Sequence, residues 1–432
     1  MSRIEESRRY LSFVTVISIV LTAAVLTSMN GLEQSVAQTE KSFEQPPITL
    51  QVSKVLPKDM PVGPNYRIEE TVKNDGFVNT YMLSTKYGPL KVESTALLTI
   101  RIHELTALQQ MEALEETEVF QDALKKSAKA PLKTAKGMVT HPVDTVSGVA
   151  TGIGHWASDV GRSIVSDDPH QPGVASTALG YAAAKRHFAY EFGIDPYTRY
   201  GPVQERLNEI SRVGFAGGLA PKVAFRAVQT VAPAAGLLLM ITSTADTMRQ
   251  LVRDKSPEEL EDINDEKLKA MAVPDSMRKA FLKNHDYSPQ EATLLVGELD
   301  SMKNVAGREK FIALAAQVTE ESVALFMRLR AQMMAHYYAK VEKSVRIIEV
   351  NGTALLQRKD GVVAALVPLD YVAWTAALWR KESALSESAK KLPGIKGKKL
   401  WIEGTVSPMA RQNLQGKGWK VRENAGLLWS GM

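Results

Sequence analysis

The chain has 432 residues, 44% of them hydrophobic and 23% charged, with no cysteine and a net charge of +5. That balance excludes a disordered chain. The missing thiols exclude cysteine nucleophiles, thiolate zinc sites and disulfides, and so small a positive charge does not point to nucleic acid.

The N-terminus reads as an export segment. Arg3, Arg8 and Arg9 stand against Glu5 and Glu6, and no charged residue then occurs until Glu33. The run from Leu11 to Met29 is mostly apolar, near the roughly 20 residues that span a bilayer as a helix. Ser35-Val36-Ala37 puts small residues where a signal peptidase reads. Residues 1–37 are therefore expected to be a signal peptide, or a signal anchor in the inner membrane if they are not cleaved. Together with the lack of cysteine, this places the expected location outside the cytoplasm, in a bacterial periplasm or envelope.

Residues 38–60 are polar and proline-containing, and read as a linker or an extended lead-in. A three-stranded meander is expected next: Tyr66 to Val72, a turn at Asn74-Asp75-Gly76, Phe77 to Thr85, a turn at Tyr87-Gly88-Pro89, and Leu90 to Glu93. Asp-Gly between apolar runs is a hairpin signal, because the turn needs positive φ. One helix is expected from Ser94 to about Lys129, with Leu98, Ile102, Leu105, Leu108, Met111 and Leu114 on its apolar side.

Within residues 130–172, Val139, Val143, Val146, Ala150, Ile153, Ala157, Val160 and Ile164 alternate at spacings of four and three. That makes one continuous helical stripe. The opposite face is Gly-, Ser- and Thr-rich, with Trp156 beside the stripe. Such a helix gains little from headgroup charge but can bury its stripe in loosely packed lipid. The segment is locally similar to amphipathic segments of apolipoprotein-like and lipid-transfer proteins. Val139, Val143, Val146, Ile153, Trp156, Val160 and Ile164 are the candidate lipid- or partner-binding residues. Packing of the stripe on the protein's own helices is the competing expectation.

Residues 173–343 read as helical, broken by a turn-rich loop from Asp195 to Pro202. The apolar run Val231 to Ile241 is too short to span a bilayer and reads as a core helix. Ser256-Pro257-Glu258-Glu259 has the form of a helix start, with a cap, a proline at the first turn and a returning carboxylate. Ser288-Pro289-Gln290-Glu291 repeats it, and Thr319-Glu320-Glu321 offers a third start at similar spacing. Stacked helical pairs or a plain bundle would both produce this pattern. From 344 to 432 the period changes. A second meander turns at Asn351-Gly352 and Asp360-Gly361, a helix covers Val372 to Glu387, and a β-α-β unit runs from Leu400 through Ser407-Pro408 to Val421.

Catalytic signatures are lacking. His103-Glu104 has no second histidine at HExxH spacing, no GxSxG occurs, and Ser407 is better explained as a helix cap than as a nucleophile. Lys390, Lys391, Lys396, Lys398 and Lys399 could hold an anionic partner, or could form a solvated connector. The expected fold class is α+β, predominantly α: a helical central domain flanked by a small N-terminal β-meander and a C-terminal α/β part. The divisions fall at 1–37, 38–129, 130–172, 173–343 and 344–432. The expected function is non-catalytic and cofactor-free. It is binding of a membrane surface, lipid or envelope protein partner, without nucleic acid. An exported hydrolase acting on a cell-wall or extracellular substrate is the alternative, motivated by location and abundant carboxylates.

Overall fold

The computed structural model describes residues 43–129, 173–228 and 243–426. The export segment 1–37, the stripe within 130–172 and the apolar run 231–241 lie outside the described residues. The N-terminal meander forms as the turns require. β3 (Tyr66–Ile68) and β4 (Thr71–Asn74) are one line of chain interrupted at Glu69-Glu70, and both pair antiparallel with β5 (Asn79–Thr85). The partner register shifts by two residues across the interruption, from Ile68↔Leu83 to Lys73↔Thr80. β6 (Gly88–Glu93) takes the other edge of β5. Gly76 turns the chain at φ +102°, and the Asp75 carboxylate accepts the N–H groups of Phe77 and Val78.

Of the two readings of 38–60, the linker needs correction and the extended lead-in fits. β1 (Ile48–Gln51) pairs with β4, so this stretch supplies an edge strand; just beyond it, β2 (Val62–Gly63) pairs with β3. The alternation of Ile48 and Leu50 with Thr49 and Gln51 spans only four residues beside prolines, too little to register as a strand in sequence.

The helix expected from Ser94 to Lys129 is two helices, α1 (Thr95–Glu115) and α2 (Glu118–Lys129). Thr117 causes the break: its hydroxyl donates to the Leu114 carbonyl at 2.6 Å and accepts the Phe120 N–H. The apolar side of α1 is wholly buried. α3 (Gly173–Glu191), α4 (Gly201–Gly217) and α5 (Pro221–Val228) share a core with α1 and the sheet. α2 crosses α4 at Gly217, where a Cβ would lie 2.1 Å from the Ala123 carbonyl oxygen, so only glycine fits.

After α6 (Ser243–Asp254) the chain stacks long and short helices. The long ones are α7 (Pro257–Ala270), α9 (Pro289–Ser301) and α11 (Glu321–His336); the short ones are α8 (Asp275–Leu282) and α10 (Arg308–Ala315). The long helices start 32 residues apart and pack in a row, α7 on α9 on α11, with α8 against α10. Ser256 forms a reciprocal capping box with Glu259, and Ser288 caps α9. The third start sits where expected, but Thr319 is not its cap; Glu320 opens α11 without a side-chain cap.

The C-terminal part is a five-stranded mixed sheet in the order β13-β11-β9-β8-β7. β7 (Arg346–Val350), β8 (Thr353–Gln357) and β9 (Val362–Val367) form the expected meander. β11 (Gly397–Ile402) and β13 (Trp419–Arg422) extend it in parallel, through crossover helices α12 (Ala376–Lys390) and α13 (Pro408–Gly416). The short strands β10 (Tyr371–Val372) and β12 (Thr405–Val406) pair separately. α12 starts later than expected because Tyr371 and Val372 are spent in β10 and Thr375 caps the helix. One face of the sheet, with Ala364 and Leu366, joins the core of the stacked helices; the other, with Val363 and Ala365, packs under α12 and α13. The fold is thus α+β with helix predominant, 55% helix against 18% strand among the described residues.

Asp370 ties the N- and C-terminal parts together. Its carboxylate accepts the N–H of Asn79 at 2.8 Å and that of Thr95 at 3.0 Å, closing the start of α1 from the C-terminal sheet. The two sheets and the end of the helical stack therefore meet at one junction.

Candidate functional site

The junction contains an opening in the C-terminal ladder. β8 and β9 are paired only at Leu356↔Ala364 and Gln357↔Val363. Continuing that register would set Ala354 opposite Leu366. Arg330 of α11 bridges this pair instead: Nε donates to the Leu366 carbonyl at 3.0 Å and Nη2 to the Ala354 carbonyl at 2.5 Å. The guanidinium thus satisfies backbone acceptors that a closed ladder would have satisfied.

Beside this opening lies a cavity of about 200 Å³, between α11, α12, the sheet face under α12, and the Phe77-Val78 turn. That is roughly a dozen times the space one buried water needs. Most of the wall is apolar, including Val323, Phe326, Val367, Leu378, Leu385 and Ile402.

Four charged side chains line it: Arg330, Lys381, Glu382 and Glu93. Arg330 is only 5% exposed, and burial lowers its pKa to about 10. Lys381 is brought down to about 8, by burial first and by the neighbouring Arg330 second, while Asp75 opposes the shift. Its ammonium also lies 5.7 Å from the Phe77 ring centroid. The two carboxylates are already matched. Glu93 pairs with Lys91 at 2.7 Å. Glu382 meets Lys417 at 2.8 Å and Lys398 at 3.5 Å, and accepts from the Trp419 indole. Burial works to raise the Glu382 pKa, but hydrogen bonds from Lys417, Ser386 and Trp419 outweigh it and hold the group below the usual range. Among the described residues, Arg330 has no carboxylate within ion-pair distance.

The five lysines singled out in the sequence are divided. Lys390, Lys391 and Lys396 are exposed, with Lys390 on Glu387. Lys398 sits over the Trp419 ring and reaches Glu382, while Lys399 turns to Glu342 at 2.5 Å, so these neighbours leave opposite faces of β11. Burial alone would raise the Glu342 pKa, but Lys399, Tyr337 and Arg358 bring it to about 2. The candidate residues Val139, Val143, Val146, Ile153, Trp156, Val160 and Ile164 lie outside the described residues. Ser407 is a helix cap, accepting the Ala410 N–H, and His285 is an exposed turn residue whose carbonyl accepts from Arg199.

Sequence reading missed Arg330 and Lys381, although both left a signal. Val323, Met327, Arg330 and Met334 follow helical spacing, which sets Arg330 in an apolar stripe. Lys381 falls between Leu378 and Leu385 in the same way. Among the described residues, no group of His, Asp or Glu could hold a metal ion, and no helix is long and apolar enough to cross a membrane. Comparison with family models, curated proteins and solved structures returned no match.

Proposed function

We propose that this chain is a non-catalytic exported protein of the bacterial envelope that binds a lipid-like apolar ligand in the junction cavity. The cavity carries this reading: its wall is mostly hydrocarbon with a few charged groups set into it, the lining that small-molecule sites commonly have. The apolar export segment and the 139–164 stripe support it from the sequence side, since both suit a protein that works where lipid is present. A hydrolase is less well supported. No histidine lines the cavity, and both carboxylates that line it are held by lysines. The half-buried carboxylates Asp370 and Glu403, which desolvation raises to about 6 and about 7, lie outside it, and Asp370 is engaged on backbone N–H groups.

Uptake of the neutral fluorophore N-phenyl-1-naphthylamine tests the proposal. Saturable binding by the native chain is expected, with loss in Ala365→Phe, which places a ring in the cavity from β9. Far-UV circular dichroism checks that the variant is folded. No uptake by the native chain, or equal uptake by the folded variant, would overturn the reading.

A further inference from the structure

We propose that the corner of the molecule where α2, α4 and α5 meet docks on an anionic lipid bilayer. None of these helices lines the junction cavity, so the proposal is independent of what the cavity binds.

The sequence supplies the charge. No Asp or Glu occurs from Ile210 to Ala245, a stretch that holds Arg212, Lys222 and Arg226. The chain behaves the same way from the middle of α2. After Asp122 no acid occurs until Asp144, and Lys125, Lys126, Lys129, Lys133 and Lys136 fall between. In a chain whose net charge is only +5, these stretches are a segregation of charge rather than an overall excess.

The fold brings the two stretches together. Gly217, at the end of α4, lies against the backbone of Ala123 in α2. Gly218 then turns the chain at φ +73°, and α5 starts within three residues, itself packed on α2. The last turn of α4, the first turn of α5 and the middle of α2 therefore share one corner. Phe215 extends it to α3, where a Cβ at Gly180 would lie 2.6 Å from its ring.

That corner also exposes hydrocarbon. Among the described residues, eleven large apolar side chains are exposed, and five of them stand on α2 to α5: Val119, Leu124, Leu179, Phe215 and Val223. Leu179 is 58% exposed, more than any other of the eleven. On α5, Lys222, Val223, Arg226 and Ala227 face outward while Ala224 and Val228 are buried, so its outer face is apolar with basic flanks. On α4, Arg212 lies one turn before Phe215, and both are exposed. The acids nearest in sequence already have cations: Asp122 meets Lys125 at 3.4 Å, and Glu209 meets Arg206 at 3.2 Å.

Anionic lipid suits both features at once. Apolar tips enter the boundary of the acyl chains, while lysine and arginine stems extend to the phosphates. An acidic protein surface would satisfy the cations and leave the apolar side chains in water. The sequence leaving the corner agrees with lipid: α2 leads toward the 139–164 stripe, and α5 toward the apolar run Val231 to Ile241.

The chain has no cysteine, so one introduced thiol can be labelled alone. Val223→Cys carrying a nitrobenzoxadiazole fluorophore reports whether the corner itself enters lipid, whatever else holds the full-length chain to the vesicle. Vesicles of phosphatidylcholine alone are compared with vesicles containing about three parts in ten phosphatidylglycerol. Blue-shifted, brighter emission is expected with the anionic vesicles only, weakened by high salt. Each cation near such a surface is worth about fivefold in affinity, so adding Lys222→Gln and Arg226→Gln should raise the lipid needed for half-saturation about 25-fold. Circular dichroism checks that the variants are folded. Leu392→Cys, labelled in the same way beside the exposed Lys390 and Lys391, should not respond. No response at Val223, an equal response to phosphatidylcholine alone, an unmoved half-saturation in the double variant or an equal response at Leu392 would overturn the proposal. A shift at Val223 that needs no vesicles and grows with protein concentration would also overturn it, and would assign the corner to a second copy of the chain.

Discussion

The two sheets of this protein solve burial differently. In the N-terminal sheet, β4 and β5 alternate buried with more exposed positions, and one core built on α1 suffices. In the C-terminal sheet, β8 and β9 run almost continuously buried, because helices cover both faces. A one-sided sheet can close against a single layer. A two-sided sheet must satisfy two layers at once, and here the ladder parts where α11 drives Arg330 between β8 and β9. The closed region gives stability without an internal site, whereas the parted region gives up packing and gains a cavity with charge on its wall.

Leucine truncation in each region tests that contrast and carries the largest expected effect. Leu105 is 1% exposed within the closed core of α1. Leu105→Ala should cost about 3 kcal/mol, since the surroundings cannot collapse onto the lost side chain. Leu385 lines the cavity from α12 and is half-buried. Leu385→Ala only enlarges existing space and should cost less than about 1 kcal/mol, because the transfer and cavity contributions are both smaller. Urea denaturation of both variants measures the difference. Equal losses would mean that the junction is packed shut in solution, and the contrast would fail.

The same contrast explains what was legible in the sequence. Turns and caps are local chemistry. Asn351 at φ +49°, Gly352 at +71° and Gly361 at +87° occupy the left-handed region that their residue types announce. Ser256 and Ser407 cap where their spacing to the following helix requires. The apolar side of α1 is visible because 3.6-residue periodicity survives without tertiary knowledge. β1 was hidden because an edge strand of four residues is held by its partner rather than by its own pattern. The cavity was hidden for a stronger reason. Arg330 and Lys381 are ordinary helix residues until the separation of β8 from β9 decides what surrounds them. Their place in apolar stripes marked them as unusual, but the spacing could not say that both face one cavity.

The smallest expected effect separates stability from binding. The Ser256 hydroxyl accepts the Glu259 N–H, and the Glu259 carboxylate returns to the Ser256 N–H at 2.8 Å, fixing the start of α7. Ser256→Ala removes one half of that box and should lower stability by about 1 kcal/mol, measured by the urea midpoint. α7 belongs to the stacked helices and supplies none of the cavity wall. Its first turn is reached from the cavity only through α9 and α11, which pack on one another in sequence along the stack. If the stack is a rigid support, uptake of N-phenyl-1-naphthylamine should be unchanged despite the lost stability. If uptake falls with the urea midpoint, the cavity depends on the whole row of long helices. The parted ladder would then be a property of the stack rather than of α11 and the C-terminal sheet alone.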